Sequence, residues 1–205
     1  MEIEVVRRGG TGELLKPQAN KFREQLVAQG LPRYTEMTRL GQGWQVITTT
    51  GVAGLVVRPS TLSLATLFNN EAGGGASYII DRIFAFNLVS TAVVGQAGLW
   101  ICMHPQITKP TADITAFRGY TGKQGHPGGA ILDVDATVLD QGWFPVGVSQ
   151  NLVNGITPGA LLEFLPEGRF IVPPQQAISV QVVSNVVGNT YTVGFGWYEV
   201  QLDLV

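Results

Sequence analysis

The chain has 205 residues, which suits one all-β domain, or one domain and an arm, and is long enough to bury a core. Charged residues make up 14% of it, against roughly 25% in an average protein. The net charge of −2 leaves no basic stripe, so we do not expect direct binding to nucleic acid. The single cysteine, Cys102, excludes an internal disulfide framework. Because no apolar run approaches the roughly 18 residues of a membrane-spanning helix, we expect no membrane partner.

Charge is distributed unevenly along the chain. Residues 1–40 hold 12 of the 28 charged side chains, whereas Ile83 to Gln106 holds none. A monomer needs charge on its surface for solubility, and the centres of subunit interfaces are depleted in charge. We therefore predict a homo-oligomer; a surface made polar by uncharged side chains is the alternative.

Residues 1–40 are interpreted as an N-terminal arm that contains one helix. The pattern predicts that helix over Lys16–Gln29, because Pro17 suits the first helical position and Gly30 suits the C-terminal cap. Its apolar stripe is narrow and includes Phe22 and Leu26, which we take as candidate partner contacts.

The arm also contains Arg7 and Arg8. These two residues are further candidate partner contacts, and contact with nucleic acid is one interpretation of the pair. A solvated pair of charges is the preferred interpretation.

Residues 41–205 have the pattern of an all-β domain, with eight to ten short strands separated by turn residues. That spacing predicts an antiparallel β-sandwich, jelly-roll-like in topology. Ser77 to Ser90 is predicted to be a long strand. Because both of its faces are apolar, we expect it to be central in its sheet or at an interface. Strict alternation places Tyr78 and Ile80 on the same face as Phe84, Phe86 and Leu88.

The C-terminal segment carries the clearest strand signal. Tyr191, Val193, Phe195 and Trp197 alternate with small or polar residues, so they share one face. Gly188-Asn189 is compatible with a type II′ turn, which predicts a hairpin between Gln175–Val187 and Thr190–Val205. Pro173-Pro174 lacks amide donors, so it marks the start of ladder pairing, at a sheet edge.

The segment 104–129 is predicted to be a long loop, and loops of this length are often functional. It mixes aromatic and cationic residues, which suits a protein or sugar contact. A loop packed on its own sandwich is the alternative. The candidate partner contacts in this loop are Phe117, Arg118, Tyr120 and Lys123.

Metal and catalytic constellations were each compared with the spacing that their chemistry requires. His104 and His126 lie at opposite ends of the long loop, and Cys102 is best explained as a small buried apolar residue, so a zinc site is not favoured. Calcium ligation or glycoside hydrolysis would rest on Asp133, Asp135 and Asp140, yet the EF-hand spacing fails and a solvated strand face explains the acids. No nucleophile elbow or phosphate loop is present. We predict no enzyme activity, no cofactor and no bound metal.

Three segments of the C-terminal part resemble bacteriophage virion proteins with a jelly-roll or related sandwich domain. They are Leu165–Pro174, Ala177–Val180 and Phe195-Gly196-Trp197-Tyr198-Glu199. The resemblance is to capsid decoration (cement) and tail-associated proteins. It implies a structural protein of the phage particle, assembled in the host cytoplasm as a trimer or larger oligomer. Its partner would be the major capsid protein or another virion protein. The alternative is a receptor- or carbohydrate-binding module of the tail that uses the 104–129 loop.

Overall fold

The computed structural model describes residues 35–89, 95–105, 117–118, 125–126, 130–134, 137–138, 142–146, 150–152, 161–185 and 187–202. The predicted helix Lys16–Gln29 and nearly all of the predicted arm lie outside these residues, so both stay predictions. The strands belong to one compact unit, Glu36–Val205. In the part of the chain that is described, no helix has the length and apolarity needed to cross a membrane.

One short helix is followed by thirteen strands in the described residues. In chain order they are α1 (Thr35–Arg39), β1 (Gly43–Ile47), β2 (Val52–Ala53), β3 (Ala65–Phe68), β4 (Ser77–Val89), β5 (Gly95–Pro105), β6 (Phe117–Arg118), β7 (Ile131–Val134), β8 (Phe144–Pro145), β9 (Gln150–Leu152), β10 (Leu161–Phe164), β11 (Phe170–Val172), β12 (Gln176–Ser184) and β13 (Thr190–Val200). The sequence pattern did not predict α1.

The strands form two antiparallel sheets. In the first sheet the order is β10-β4-β13-β1-β6, with β11 also paired to β4 and β2 to β13. In the second sheet the order is β7-β3-β12-β5-β8, with β9 also paired to β5. The predicted all-β antiparallel sandwich is therefore confirmed, and β4 is an inner strand of its sheet, as its two apolar faces indicate.

The pairing of the main strands is nested. The first strand, β1, pairs with the last, β13. Moving inward along the chain, β3 pairs with β12, β4 with β10 and β11, and β5 with β8 and β9. Two further pairings, β4 with β13 and β5 with β12, join these pairs within each sheet, and β6, β2 and β7 pair with β1, β13 and β3. Strands from the two ends of the described β region are therefore neighbours in both sheets.

The core lies between the two sheets and follows the alternation of their strands. From the first sheet, β13 contributes Tyr191, Val193, Phe195 and Trp197, all of which are buried as predicted. From the second sheet, Ile178, Val180 and Val182 of β12 face them within the same apolar cluster. Each large aliphatic or aromatic side chain buried in this way contributes about 1.5–3 kcal/mol to folding.

The predicted face assignment of β4 is wrong beyond Asp81. The register shifts there, because Arg82 pairs with Gly196 and Ile80 pairs with Trp197, which leaves Asp81 as an extra residue. Such a bulge reverses the side-chain alternation that follows it. Tyr78 and Ile80 therefore share the core with Ile83 and Ala85, whereas Phe84, Phe86 and Leu88 lie on the outer face.

The predicted C-terminal hairpin is also wrong. Both strands exist, and Gly188 does turn with a positive φ of 84°. However, β12 belongs to the second sheet and β13 to the first, so the connection crosses between the layers. Pro173-Pro174 does precede the start of pairing at Gln176, but β12 lies between β3 and β5 and is not an edge strand. Local turn residues indicate where a strand ends but not which strand it pairs with.

A buried chain of hydrogen bonds lies on the outer face of the second sheet. Ser63 Oγ bonds with Thr66 Oγ1 at 2.8 Å, and Thr66 Oγ1 bonds with Ser179 Oγ at 2.8 Å. Ser179 Oγ also bonds with His104 Nε2 at 2.6 Å. Although Ser179 and His104 have the spacing of a nucleophile and a base, both are buried, so the contact satisfies polar groups in the sheet.

The packing of Phe84 on Gly194 gives a stability test. The Phe84 ring occupies the space where a Cβ at Gly194 would lie. We expect Gly194→Ala to lower the free energy of unfolding by about 1–3 kcal/mol, because the ring must move. This can be measured by urea unfolding followed by tryptophan fluorescence.

The matched control is Gly196→Ala, two residues further along the same strand. There the nearest atom to an added Cβ is Arg82 Cβ at 3.6 Å, an ordinary contact. Both variants gain the same rigidity in the unfolded chain, so their difference reports on packing alone. Equal stabilities would show that Phe84 does not cover Gly194.

Candidate functional site

A group of aromatic side chains closes one end of the sandwich, where β4 and β1 begin and β13 ends. Trp44 of β1 is opposite Trp197 of β13, and Tyr78 of β4 is opposite Glu199. Tyr78 and Trp197 stack with their ring centroids 5.3 Å apart. Trp44, Tyr78 and Trp197 are all buried, so this end of the core consists of large rings that carry polar atoms.

His126 lies among these rings. It belongs to the predicted loop 104–129 and follows Gly125, whose φ of 89° favours glycine. The imidazole centroid lies 4.5 Å from Trp44, 5.4 Å from Tyr78 and 6.0 Å from Trp197. Only 1% of the His126 side chain is exposed. A residue of the long loop is thus fixed inside the sandwich end.

Glu199 connects the imidazole to the indole of Trp44. Its Oε2 accepts a hydrogen bond of 3.1 Å from Trp44 Nε1, and its Oε1 lies in direct contact with His126 Nε2. The side chain is 15% exposed. Since Glu199 follows Trp197 by two residues, it continues the inward face of β13. An acidic group therefore lies at the end of an otherwise apolar row.

Glu71 reaches the same place from the turn between β3 and β4, and Asn69 holds that turn. The buried Asn69 amide donates to Ala76 O at 2.9 Å and to Val172 O at 3.0 Å. Its Oδ1 accepts from the backbone N–H of Glu71 at 3.0 Å, which is an Asx-turn. Gly75 packs directly against the Glu71 side chain, and a Cβ there would meet a carboxylate oxygen at 2.9 Å.

We call Glu71, His126 and Glu199 the His–Glu cluster. One ligand-type atom from each residue, a ring nitrogen or a carboxylate oxygen, lies within 4.8 Å of the other two. The Tyr78 hydroxyl is buried beside them and has no hydrogen-bond partner among the described residues. Burial first, and then the negative charges of Glu199 and Glu71, raise the pKa of Tyr78 above its ordinary value. The phenol consequently stays protonated and remains a potential donor.

A shallow pocket of about 270 Å³ lies beside β1 and β13. It forms partly because Gly43 and Gly196 lack side chains, and its polar lining includes Gln45, Asp81 and Arg82. Tyr198 also lines it, and its hydroxyl accepts a 3.4 Å hydrogen bond from Thr38 Oγ1. Arg82 forms an ion pair with Glu163 at 2.5 Å, so one wall of the pocket is charged.

The structure places few of the candidate partner contacts predicted from sequence. Phe117 and Arg118 form β6, which pairs with Trp44 and Gln45 of β1. The other candidates lie outside the described residues and stay predictions: Arg7, Arg8, Phe22, Leu26, Tyr120 and Lys123.

The alternative metal and acid sites are only partly within the described residues. Cys102 is buried against Val138 and Trp143, as predicted for a small apolar residue. His104 bonds with Ser179 on the second sheet, whereas His126 lies against Trp44 of the first sheet, so the two histidines belong to different clusters. Asp133 lies on β7 opposite Thr66; Asp135 and Asp140 lie outside the described residues.

The His–Glu cluster was not predicted from the sequence, although the alternation of β13 gives one indication of it. Alternation from Tyr191 to Trp197 continues to Glu199, which places a carboxylate on the buried face. A charged residue in such a position needs a partner. Glu71 and His126 have no comparable signal, because their approach depends on a turn and on a long loop.

Comparisons of the chain with models of protein families, with curated proteins and with solved structures found no match. No family can therefore be assigned to it by similarity, and its function has to be argued from the contacts described above.

The buried hydroxyl of Tyr78 gives a second test. We expect Tyr78→Phe to leave the free energy of unfolding unchanged or to raise it by up to about 2 kcal/mol, because the substitution removes an unpaired buried polar group. This effect is measured at neutral pH in the presence of EDTA, which removes metal ions. The unfolded phenol ionises near pH 10, whereas the pKa of the folded one is raised. The wild type should therefore lose stability as the pH rises above about 10, and the variant should lose less.

Urea unfolding at several pH values measures both effects. Tyr198→Phe is the control, because its hydroxyl lies at the partly exposed pocket and accepts a bond from Thr38. A Tyr78→Phe variant that is clearly destabilised at neutral pH would mean that its hydroxyl is paired in the protein.

Proposed function

We propose that this chain is a structural protein of a bacteriophage particle, most consistent with a capsid decoration or cement protein that braces neighbouring subunits through non-covalent contacts. The observation that carries the proposal is an exposed apolar surface built from uncharged parts of the sequence. The strand pairing and the resemblance of Leu165–Pro174 and Phe195–Glu199 to virion proteins support it.

The nested pairing supports a jelly-roll topology. A jelly roll results when one long antiparallel hairpin wraps into two sheets, so the first strand pairs with the last and each inner strand pairs with its counterpart. The pairs β1–β13, β3–β12, β4–β10 and β5–β9 follow that rule. Jelly rolls recur in viral capsids, but also in lectins and cupins, so topology alone does not decide the function.

The apolar surface lies at the end of the sandwich opposite the His–Glu cluster, and we call it the valine end: Val56, Val57, Val89 and Val187. Val89 ends β4 opposite Thr190, the first residue of β13, and Val187 lies in the turn just before it. Val56 and Val57 follow a bridge between Leu55 and Val183, near the end of β12. Val57 is 65% exposed and Val187 is 76% exposed.

The segments that form the valine end carry almost no charge. Between Arg39 and Arg58, between Ile83 and Gln106, and between Arg169 and Glu199 the sequence has no Asp, Glu, Lys or Arg. Arg58 adjoins Val57, but its guanidinium donates to the carbonyls of Pro59 and Trp143. With no charge to recognise a charged partner, the surface suits an equally uncharged one, and other copies of this chain present such a surface.

Apolar burial would supply the energy of the contact. A standard interface buries about 800 Å² on each partner, and apolar area contributes roughly 25 cal/mol per Å² before association costs are deducted. A single contact of this kind is of ordinary strength. A ring of such contacts on a particle becomes strong because each subunit binds several neighbours at once.

The size of the purified full chain gives a third test. At micromolar concentration we expect a trimer or a larger closed oligomer by light scattering after size-exclusion chromatography. Val57→Lys combined with Val187→Lys should shift the population toward monomer, because two charges would then be buried without partners. Since both side chains are exposed, the substitutions should cost little in folding.

The control is Leu165→Lys, which adds a charge at another exposed apolar residue, at the end of β10 and away from the valine end. It should leave the oligomer intact. A wild-type monomer under these conditions would overturn the proposed mode of assembly. Mass spectrometry of purified particles tests the location in the virion, and neighbouring head or tail genes distinguish capsid from tail.

The pocket beside β1 favours a second candidate, a carbohydrate- or receptor-binding module. Its lining combines Tyr198 with Asp81, Arg82 and Gln45, and aromatic and polar groups together suit a sugar. The predicted loop contacts Phe117 and Arg118 pair with the same strand β1.

A glycan array with the full chain tests this candidate. We expect any bound sugar to be lost in Tyr198→Ala and in Asp81→Ala, and to be retained in Val187→Lys. Binding that survives both pocket substitutions, or no binding at all to the array, would remove the candidate.

A further inference from the structure

We propose that Glu71, His126 and Glu199 bind a divalent transition-metal ion, Zn²⁺ or Mn²⁺, at the end of the sandwich opposite the valine end. The proposal replaces the sequence-based prediction that the chain binds no metal. It stands independently of the proposed role in a virion, because it depends only on the contacts of the His–Glu cluster.

The donor atoms of the His–Glu cluster are close together. An imidazole nitrogen and two carboxylate oxygens lie within 4.8 Å of one another. Around a tetrahedral zinc ion, with bonds of about 2.0–2.2 Å, ligand atoms are separated by roughly 3.4 Å. The Glu71 and Glu199 side chains have rotatable bonds through which their carboxylate oxygens can adjust toward that spacing. Three protein ligands also leave a fourth position for a water molecule.

A buried polar group, the Tyr78 hydroxyl, lies beside the cluster. Tyr78 is fully buried, and its hydroxyl has no hydrogen-bond partner among the residues that the structure describes. Tyr78 is opposite Glu199 in the strand pairing, and its ring contacts the ring of His126. Leaving a buried hydroxyl unpaired destabilises the folded chain. A ligand carboxylate drawn toward an ion, or a water molecule on that ion, would give the hydroxyl a partner.

The local balance of charge also favours a bound cation. Two carboxylates approach one imidazole, so even a protonated His126 would leave one negative charge. Within the described ranges, neither Glu71 nor Glu199 forms an ion pair with a lysine or an arginine. Carboxylates in a partly buried site repel one another unless a cation lies between them. A divalent ion would neutralise both.

The donor set selects the class of metal. Calcium takes six to eight oxygen ligands, typically about 2.3–2.6 Å away, and does not favour nitrogen. Imidazole together with carboxylate suits zinc, and manganese accepts the same ligands with added water molecules. The contacts behind the ligands also fit a metal site, because the Trp44 indole already orients Glu199 through its hydrogen bond to Oε2.

A bound ion would connect three segments that are distant in sequence. Glu71 lies on the turn held by Asn69, His126 lies in the predicted loop 104–129, and Glu199 lies on β13. The ion would therefore anchor the loop to the sandwich end. We expect its main effect to be on stability, since an ion that binds only the folded chain stabilises it by mass action.

The experiment uses the full chain after removal of metal with EDTA, followed by dialysis. Addition of ZnCl₂ or MnCl₂ should raise the melting temperature by several degrees, whereas CaCl₂ should not. Co²⁺, used as a probe for zinc, should give visible absorption bands and should quench the emission of Trp44 and Trp197, which border the cluster. Isothermal titration calorimetry should give one site per chain.

Three variants test the ligands: His126→Gln, Glu199→Gln and Glu71→Gln. Each should lower Zn²⁺ affinity by more than about a hundredfold. Glu163→Gln is the matched control, because Glu163 is a partly exposed carboxylate paired with Arg82; its affinity should equal that of the wild type. Circular dichroism at low temperature verifies that each variant is folded before titration.

Several outcomes would overturn the site. These are no change in melting temperature and no cobalt bands in the wild type, or undiminished affinity in folded variants of all three ligands. Stabilisation by Ca²⁺ as large as that by Zn²⁺ would overturn the assignment to a transition metal. The size measurement at the valine end is unaffected by any of these results, so the two proposals fail separately.

Discussion

The pairing of β4 with β13 is the constraint on which both ends of the molecule depend. It runs from Ser77 opposite Val200 to Val89 opposite Thr190, through the middle of the first sheet. The bulge at Asp81 keeps the core side chains of β4 opposite core side chains of β13 on both sides of it. Ile83 faces Phe195 on one side of the bulge, and Ile80 faces Trp197 on the other. Without the extra residue, Tyr78 and Ile80 would turn to the outer face. The bulge is therefore what places Tyr78 beside Glu199 and His126.

The same pairing gives the molecule two chemically different ends. Where β4 begins, the side chains carry ionisable or hydrogen-bonding groups, and the site is closed by large rings. Where β4 ends, the surrounding segments carry almost no Asp, Glu, Lys or Arg and leave valines exposed. Burial in a medium of low dielectric strengthens charge interactions at the first end. At the second end only apolar contact is available, which is insensitive to salt and does not select a charged partner.

The sequence predicted the layer architecture well because alternation is a local property. The inward row of Tyr191, Val193, Phe195 and Trp197 and the extent of β4 both follow from residues two apart. Prediction from the sequence failed where the structure depends on which strands pair with each other. Gly188-Asn189 has the composition of a hairpin turn, yet its two strands lie in different sheets, because each already has two neighbours. The predicted faces of the β4 side chains were wrong for a related reason, since a bulge depends on how two strands pair and cannot be read from one strand.

The candidate site was less predictable than the fold, since its three donors come from three separate segments. Glu199 could have been found, because a carboxylate that continues a buried row has to be compensated. Glu71 depends on the Asx-turn of Asn69, and that side chain also bonds to Val172 in a different strand. His126 depends on a loop whose path the pattern does not determine. A site of this kind is assembled by tertiary contacts, so its partners become apparent only when the strand order brings residues 71, 126 and 199 together. The charge-poor composition, on which the prediction of covered subunit surfaces rests, therefore gave no sign of the place among the described residues where two acids and an imidazole meet.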